Sequence, residues 1–200
     1  GKEYNYTEDT LHICVFKNDA YHINKYWFDL VEGEAKTYYA STTGDKRAKW
    51  SDVPVPEALD LKVGCKVVCS ANDLDRQYVN GSKGTVIGFG PNFVRVELEN
   101  GTQVIVEEFT WEKFSYGKGV NGLTKTPIAT FTQVPLKLGY AMTAHSIQGV
   151  TLDSAAIHVG RGCFSAGQLY MMLSRVTDLR NLSFVEPIHS KNIIVSEEVQ

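Results

Sequence analysis

Several features that would assign this 200-residue chain to a class of proteins are missing from it. No apolar run is long enough to cross a membrane, and the N-terminus lacks the charged and then apolar layout of a signal peptide. Its four cysteines are scattered through apolar segments, which predicts buried thiols in a reducing compartment. We therefore expect an intracellular protein that makes no contact with a membrane.

The chain also lacks an excess of positive charge. Its net charge is −3 and its pI is near 6.0, whereas a protein that coats a duplex is usually basic. Any contact with nucleic acid should therefore be a local groove, or part of a surface shared with another domain.

Cys65 and Cys69 are four residues apart, which is not the spacing of a zinc knuckle, and no metal site is predicted.

Two nucleotide-binding signatures are absent as well. No GxxxxGK[ST] string occurs in the sequence, and no Asp-Glu pair follows an apolar strand to hold Mg²⁺. Residues 117–122 match GxGxxG, but LTKTP follows, and this string cannot open the helix that a dinucleotide-binding loop requires. The pattern predicts a flexible linker at this position.

The two ends of the chain have α/β character. Short apolar runs predict strands over 11–16, 128–134, 155–159 and 182–185. Helices are expected over 138–147, over 166–174, and after a cap at Asn18 or Asp19. That first helix carries an apolar stripe at four positions, namely Ala20, Ile23, Trp27 and Leu30.

The middle of the chain has an all-β pattern. β-Branched segments at 65–70, 84–89, 92–98 and 103–108 suit a small barrel, and Asn100-Gly101 predicts a hairpin. Residues 41–60 are interpreted as a polar connector, in which Lys46, Arg47 and Lys49 form a solvated face or a contact with phosphates. The expected organisation is an α/β domain, residues 1–58 and 128–200, interrupted by a β-barrel and linker at 59–127.

Polar groups suited to phosphate are concentrated in residues 140–149, YAMTAHSIQG. At the carboxyl edge of a parallel sheet, Thr143, His145 and Ser146 would donate to phosphate oxygens. Gln148 offers both a donor and an acceptor, and Gly149 lets the backbone approach a ligand. A helix terminus with ordinary capping is the structural alternative.

A single arginine follows the apolar helix predicted near residue 170. Arg175, in LSRV at 173–176, is either a surface charge at a helix C-terminus or a planar donor to a transferring phosphoryl group. Lysine would replace it poorly in the second role, because the guanidinium presents a fixed fork of donors.

These strings together resemble a helicase family. Residues 135–153 resemble motif V, and residues 167–176 motif VI, of superfamily 1 helicases of the RecD and Pif branch. Residues 61–86 look like the SH3-like barrel that these enzymes insert into their second RecA-like domain. The region of motif IV is matched more loosely by residues 18–24.

The resemblance implies a role for each matched residue. Arg175 matches the arginine that reaches the γ-phosphate of ATP, while Gln148 and Gly149 match the part of motif V that senses the nucleotide. Thr143, His145 and Ser146 match positions that face single-stranded DNA. Many relatives have lysine where this chain has Ser146, so a cationic contact is not expected there.

The resemblance also implies a partner domain. A P-loop domain that holds ATP and Mg²⁺ would precede this region, which makes the chain the C-terminal half of a 5′-to-3′ motor without ATPase activity of its own. The alternative is a stand-alone module in which the barrel binds a peptide or single-stranded nucleic acid on four side chains, Tyr78, Phe89, Phe93 and Arg95. A degenerate helicase that serves as a scaffold is a third hypothesis, which the intact motifs V and VI disfavour.

Overall fold

The computed structural model describes residues 10–119, 122–147 and 150–194, which form fourteen β-strands and two α-helices. They group into two compact units, Gly1–Val31 with Leu138–Gln200, and Glu32–Lys137. The elements in chain order are β1 (Leu11–Cys14), α1 (Lys17–Leu30), β2 (Lys36–Tyr39), β3 (Ser41–Gly44), β4 (Ala58–Leu61), β5 (Lys66–Cys69), β6 (Lys83–Phe89), β7 (Phe93–Leu98), β8 (Gln103–Glu107), β9 (Phe109–Gly119), β10 (Gly122–Gln133), β11 (Leu136–Leu138), β12 (Ala141–Thr143), β13 (Ala155–His158), α2 (Gln168–Leu173) and β14 (Leu182–Phe184).

A parallel sheet forms the centre of the first unit. Its strand order is β12-β1-β13-β14, and every pairing in it is parallel. The two inner strands are buried along their length, as expected for parallel strands covered on both faces. In the register, Ile13 lies between Met142 and Ile157. The predicted α/β fold is therefore confirmed.

Helix α1 packs against β1 and β12 through part of the predicted stripe. Ala20 is buried and Ile23 is half-buried, but Leu30 at the end of the helix is exposed. The predicted cap was wrong, because the helix begins at Lys17 and Phe16 occupies the N-cap position without a side-chain hydrogen bond.

Among the described residues, no helix is long and apolar enough to span a membrane.

The helix predicted over 138–147 was also wrong. The chain there forms the end of β11, then β12, and then a 3₁₀ turn over Ala144–Ile147. Pairing with β1 places Ala141 and Met142 in the parallel sheet, where both are buried. Tertiary pairing therefore overrode the local pattern.

The second unit is built mainly of antiparallel strands. A five-stranded sheet has the order β11-β5-β6-β7-β8, and its apolar face alternates with exposed residues along β7 and β8. The predicted hairpin is confirmed, since β7 pairs with β8 and Gly101 has a φ of 81° in the turn between them. Such a φ suits glycine because the left-handed region costs other residues.

A second sheet in this unit, β3-β10-β9, contradicts two predictions. Residues 117–119 and 122 lie in a long antiparallel hairpin instead of a flexible linker, while residues 120–121 fall outside the described residues. Residues 41–44, expected in a connector, form strand β3 along β10. Its four residues are all exposed, so backbone pairing holds it without an apolar pattern that the sequence would reveal.

The compact units are divided at positions other than the predicted domain boundaries. Residues 32–58 and 128–137 are in the second unit because β2 pairs with β4 and β3 pairs with β10.

The stacking platform of the stand-alone hypothesis does not form as proposed, because Tyr78 is buried at 7% exposure. Burial also raises the pKa of Tyr78 to about 12.

Candidate functional site

The carboxyl edge of the parallel sheet gathers the predicted site residues. Strands β1, β12 and β13 run in the same direction and end at Cys14, Thr143 and His158. The segments that follow them therefore emerge at one edge, which is where ligands bind in open α/β sheets. They carry Phe16, the 3₁₀ turn over Ala144–Ile147, and the loop after His158.

Two hydroxyls of the predicted DNA-facing set lie together. The Oγ1 of Thr143 and the Oγ of Ser146 form a hydrogen bond of 2.9 Å across the 3₁₀ turn. His145 is exposed, and its ring lies parallel to that of Phe164 with the centroids 6.4 Å apart. Gln148 and Gly149 lie outside the described residues.

Arg175 follows α2 and is half-buried. Its Nε donates to the carbonyl oxygen of Met171 at 3.1 Å, and its Nη2 donates to the Oγ of Ser174 at 3.0 Å. The guanidinium is therefore held at the C-terminal end of its own helix, where a cation is favoured by the helix dipole.

A short parallel bridge joins the segment after Gly149 to the segment that carries Arg175. The amide of Leu152 donates to the carbonyl oxygen of Arg175 at 2.8 Å. The amide of Thr177 donates in turn to the carbonyl oxygen of Leu152 at 3.3 Å. Helix α2 also packs against the 3₁₀ turn. The two strings singled out in the sequence are thus neighbours in the structure.

Asn24 is a residue at this site that the sequence reasoning missed. From α1, its Nδ2 donates to the carbonyl oxygen of Ala141 at 2.8 Å. Its Oδ1 accepts from the amides of Tyr140 and Ala141 at 3.1 and 2.9 Å. Asn24 therefore fixes the start of β12, the strand that leads to Thr143. The loose motif IV match at 18–24 was the available signal.

Gln168 is a second such residue and lies at the start of α2. It is only 2% exposed, and its Oε1 accepts from the amide of Phe164 at 3.1 Å. Its Nε2 makes no hydrogen bond within the described part of the chain. The carboxamide ties the loop that carries Phe164 to the helix that leads to Arg175.

Two histidines are buried beneath the carboxyl edge. The Nδ1 of His12 and the Nε2 of His158 are 2.7 Å apart. Burial, and then the proximity of His158, lower the pKa of His12 to about 4. Burial also lowers the pKa of His158, although Glu186 and Asp19 act in the opposite direction. Burial therefore disfavours the charged form of both imidazoles.

The cysteines behave as buried apolar groups. Burial raises the pKa of Cys14 to about 12, that of Cys65 to about 11 and that of Cys69 to about 12. All three thiols are therefore protonated at neutral pH, and none is an activated nucleophile. Within residues 10–119, 122–147 and 150–194, no group of three or more His, Cys, Asp or Glu side chains could hold a metal ion.

No protein-family model matches the chain. Its amino-acid sequence is nevertheless similar to those of known proteins along most of its length. The mouse ATP-dependent DNA helicase PIF1 is 28% identical over 180 residues, which cover 87% of this chain and 26% of the mouse protein. The ATP-dependent DNA helicase Pif1 of Bdellovibrio bacteriovorus is 32% identical over 146 residues, which cover 73% of this chain and 31% of that protein.

Solved structures agree with the sequence relatives. Unliganded Pif1 from Bacteroides sp. has a TM-score of 0.83 and 33% identity over 96% of this chain and 44% of that one. Bacteroides Pif1 in complex with ADP-AlF3 and single-stranded DNA has a TM-score of 0.78 and 31% identity over 100% of this chain and 46% of that one. The chain spans less than half of the length of each of these relatives, and it is homologous to the Pif1-family helicases over most of its own length.

Proposed function

We propose that the chain is the C-terminal, second RecA-like portion of an ATP-dependent DNA helicase of the RecD and Pif branch. The observation that carries the proposal is the parallel bridge between Leu152 and Val176, with the flanking hydrogen bonds of Arg175. It joins the string that resembles motif V to the one that resembles motif VI, as one wall of an ATP cleft would require. The similarity to Bacteroides Pif1 in complex with ADP-AlF3 and single-stranded DNA supports it.

In this proposal Arg175 acts as an arginine finger. Its present partners, a carbonyl and a hydroxyl, are neutral, whereas a phosphate is anionic and accepts two parallel hydrogen bonds from the guanidinium fork. A γ-phosphate brought to this wall would therefore draw the guanidinium from the end of α2. Gln148 and Gly149 would contact the same nucleotide, by resemblance to motif V.

The remaining components of the cleft belong to a partner domain in this proposal. ATP hydrolysis requires a phosphate cradle, Mg²⁺ and the arginine together. The chain has no GxxxxGK[ST] string, so an N-terminal motor domain of the same protein would supply the cradle and hold Mg²⁺. Arg175 would stabilise the charge that spreads over the transferred phosphoryl group.

The DNA track would cross the carboxyl edge of the parallel sheet. Thr143 and Ser146 already share one hydrogen bond, and the two hydroxyls retain acceptor and donor capacity for a phosphate oxygen. His145 projects from the same turn and is exposed. The five-stranded sheet in the second unit supports the further proposal of an SH3-like insert within the helicase domain.

The experiment compares ATP hydrolysis by the protein that joins this chain to its P-loop domain and by its Arg175→Ala variant. We expect kcat to fall by roughly 10³- to 10⁵-fold while nucleotide binding is largely retained, because the finger acts on the transition state. Arg180→Ala is the matched control. Arg180 lies only five residues after Arg175, but it is exposed and forms an ion pair with Asp178. Wild-type turnover by the Arg175 variant would contradict the proposal.

A further inference from the structure

Three aromatic rings lie together at the carboxyl edge of the parallel sheet. The rings of Phe16 and Phe164 have centroids 5.9 Å apart, and those of His145 and Phe164 have centroids 6.4 Å apart at an angle of 16°. The guanidinium carbon of Arg161 lies 5.5 Å from the centroid of Phe16. We call Phe16, His145 and Phe164 the edge ring cluster.

Two of the three rings are exposed, and the third, that of Phe16, is half-buried. Phe164 is 58% exposed, and His145 is exposed as well. A phenylalanine in a packed core loses nearly all of its contact with water, whereas the Phe164 ring keeps more than half of its surface exposed beside a second aromatic ring. The near-parallel orientation of the Phe164 and His145 rings suits a flat, aromatic ligand.

The loop that carries Phe164 is held in a defined conformation. Gly160 and Gly162 have φ values of 56° and 115°, which favour glycine. A Cβ on Gly162 would lie 3.0 Å from the Nδ2 of Asn192, so the backbone is closely packed there. The bond from the Phe164 amide to Gln168 fixes the end of the loop to α2. The ring is therefore presented to solvent by a fixed backbone.

We propose that the edge ring cluster is a stacking platform for one unpaired base of single-stranded DNA. This inference rests on the proposed function and adds Phe16 and Phe164, which no sequence motif pointed to, to His145 of the string that resembles motif V. Stacking on aromatic rings holds a base without regard to its identity, because every base has a flat π-face. The platform would therefore contribute affinity without sequence preference.

The surrounding charges favour a base at the rings and a phosphate beside them. The carboxylate of Asp19 lies next to Gly160, at the foot of the loop, and would repel a phosphate there. Thr143 lies two residues before His145 and Ser146 one residue after it, and their hydroxyls would donate to the neighbouring phosphate. Arg161, whose guanidinium lies over the ring of Phe16, adds a cation to the loop that carries Phe164.

The test measures binding of this chain to two fluorescent oligonucleotides of equal length, oligo-dT and an abasic strand that has phosphates but no bases. We expect Phe164→Ala to weaken oligo-dT binding by roughly 5- to 150-fold and to leave binding of the abasic strand unchanged. Phe164→Leu, which keeps the apolar bulk but lacks a π-face, should lose most of the same affinity, and Phe164→Trp should restore it.

Tyr26→Ala is the matched control for loss of an exposed aromatic ring. Tyr26 is 56% exposed on α1, and it lies nine residues after the first residue of the helix, about 14 Å along its axis. Its removal should leave both affinities unchanged. A 2-aminopurine base within the strand reports stacking directly, and its fluorescence should be quenched by the wild-type chain and not by Phe164→Ala.

The outcomes separate this inference from the function on which it rests. Unchanged oligo-dT binding by Phe164→Ala would overturn the stacking platform and leave the proposed DNA track intact. An equal loss on both oligonucleotides would also overturn it, since Phe164 would then act on the phosphate contacts through the fold. If the wild-type chain binds neither oligonucleotide, both the DNA track and the platform are wrong.

Discussion

Replacement of Asn24 by alanine tests whether a single carboxamide positions the strand that leads to the candidate site. The substitution removes three hydrogen bonds between α1 and the start of β12, which involve the amides of Tyr140 and Ala141 and the carbonyl of Ala141. Alanine has the higher helix propensity, so α1 itself is not weakened. Any loss of stability therefore reports the bonds to β12.

The expected loss follows from the number of bonds and their partial burial. A hydrogen bond contributes about 0.5–1.5 kcal/mol, and a buried group that loses its partner costs about 1–3 kcal/mol. Because Asn24 is half-buried and water reaches part of the site, we expect the free energy of unfolding to fall by about 2–4 kcal/mol. In a chain of this size the melting temperature should fall by about 4–16 °C.

Urea denaturation and amide hydrogen exchange measure the effect at two levels. Exchange at the Ala141 amide should accelerate by roughly 30- to 700-fold if the stability change is local to β12. Asn18→Ala is the control on the same helix, because Asn18 is exposed and does not cap the helix. If Asn24→Ala is no less stable than Asn18→Ala, the assignment of Asn24 as the residue that holds β12 is wrong.

Two further predictions concern stability. Burial favours the neutral form of His12, so between pH 6.5 and about 4 the unfolded chain binds the His12 proton more tightly than the folded chain does. The free energy of unfolding should therefore fall by about 3 kcal/mol as the pH drops through that window. In urea denaturation at a series of pH values, His12→Gln should flatten this dependence, and an unchanged slope would contradict the role of His12. Gly44 and Gly101 have φ values of 86° and 81°, but only at Gly44 would a Cβ overlap the carbonyl oxygen of Ile128. Gly44→Ala should therefore destabilise the chain by about 1–3 kcal/mol more than Gly101→Ala in thermal melts, and equal losses would refute the close approach.

Local sequence patterns predicted the elements whose determinants are themselves local. The buried strands at 11–14 and 155–158 follow from short runs of apolar residues, and the β7–β8 hairpin follows from Asn100-Gly101. Strand β3 escaped prediction because its residues are exposed and its stability comes from pairing with β10, more than 80 residues away. A helical pattern at 138–147 misled for the same reason, since pairing with β1 outweighed it.

The candidate site shows the same division. The available chemical groups can be read from the amino-acid sequence: the hydroxyls, imidazole and amide of residues 143–148 and the guanidinium of Arg175. Their neighbours follow from the fold, since Phe16 and Phe164 lie beside His145 at the carboxyl edge of the sheet, and the backbone of Leu152 joins the two strings. Composition and short-range spacing are properties of the chain, whereas contacts between distant segments, such as that of Phe16 with Phe164, are chosen by the burial and backbone pairing of the whole sheet.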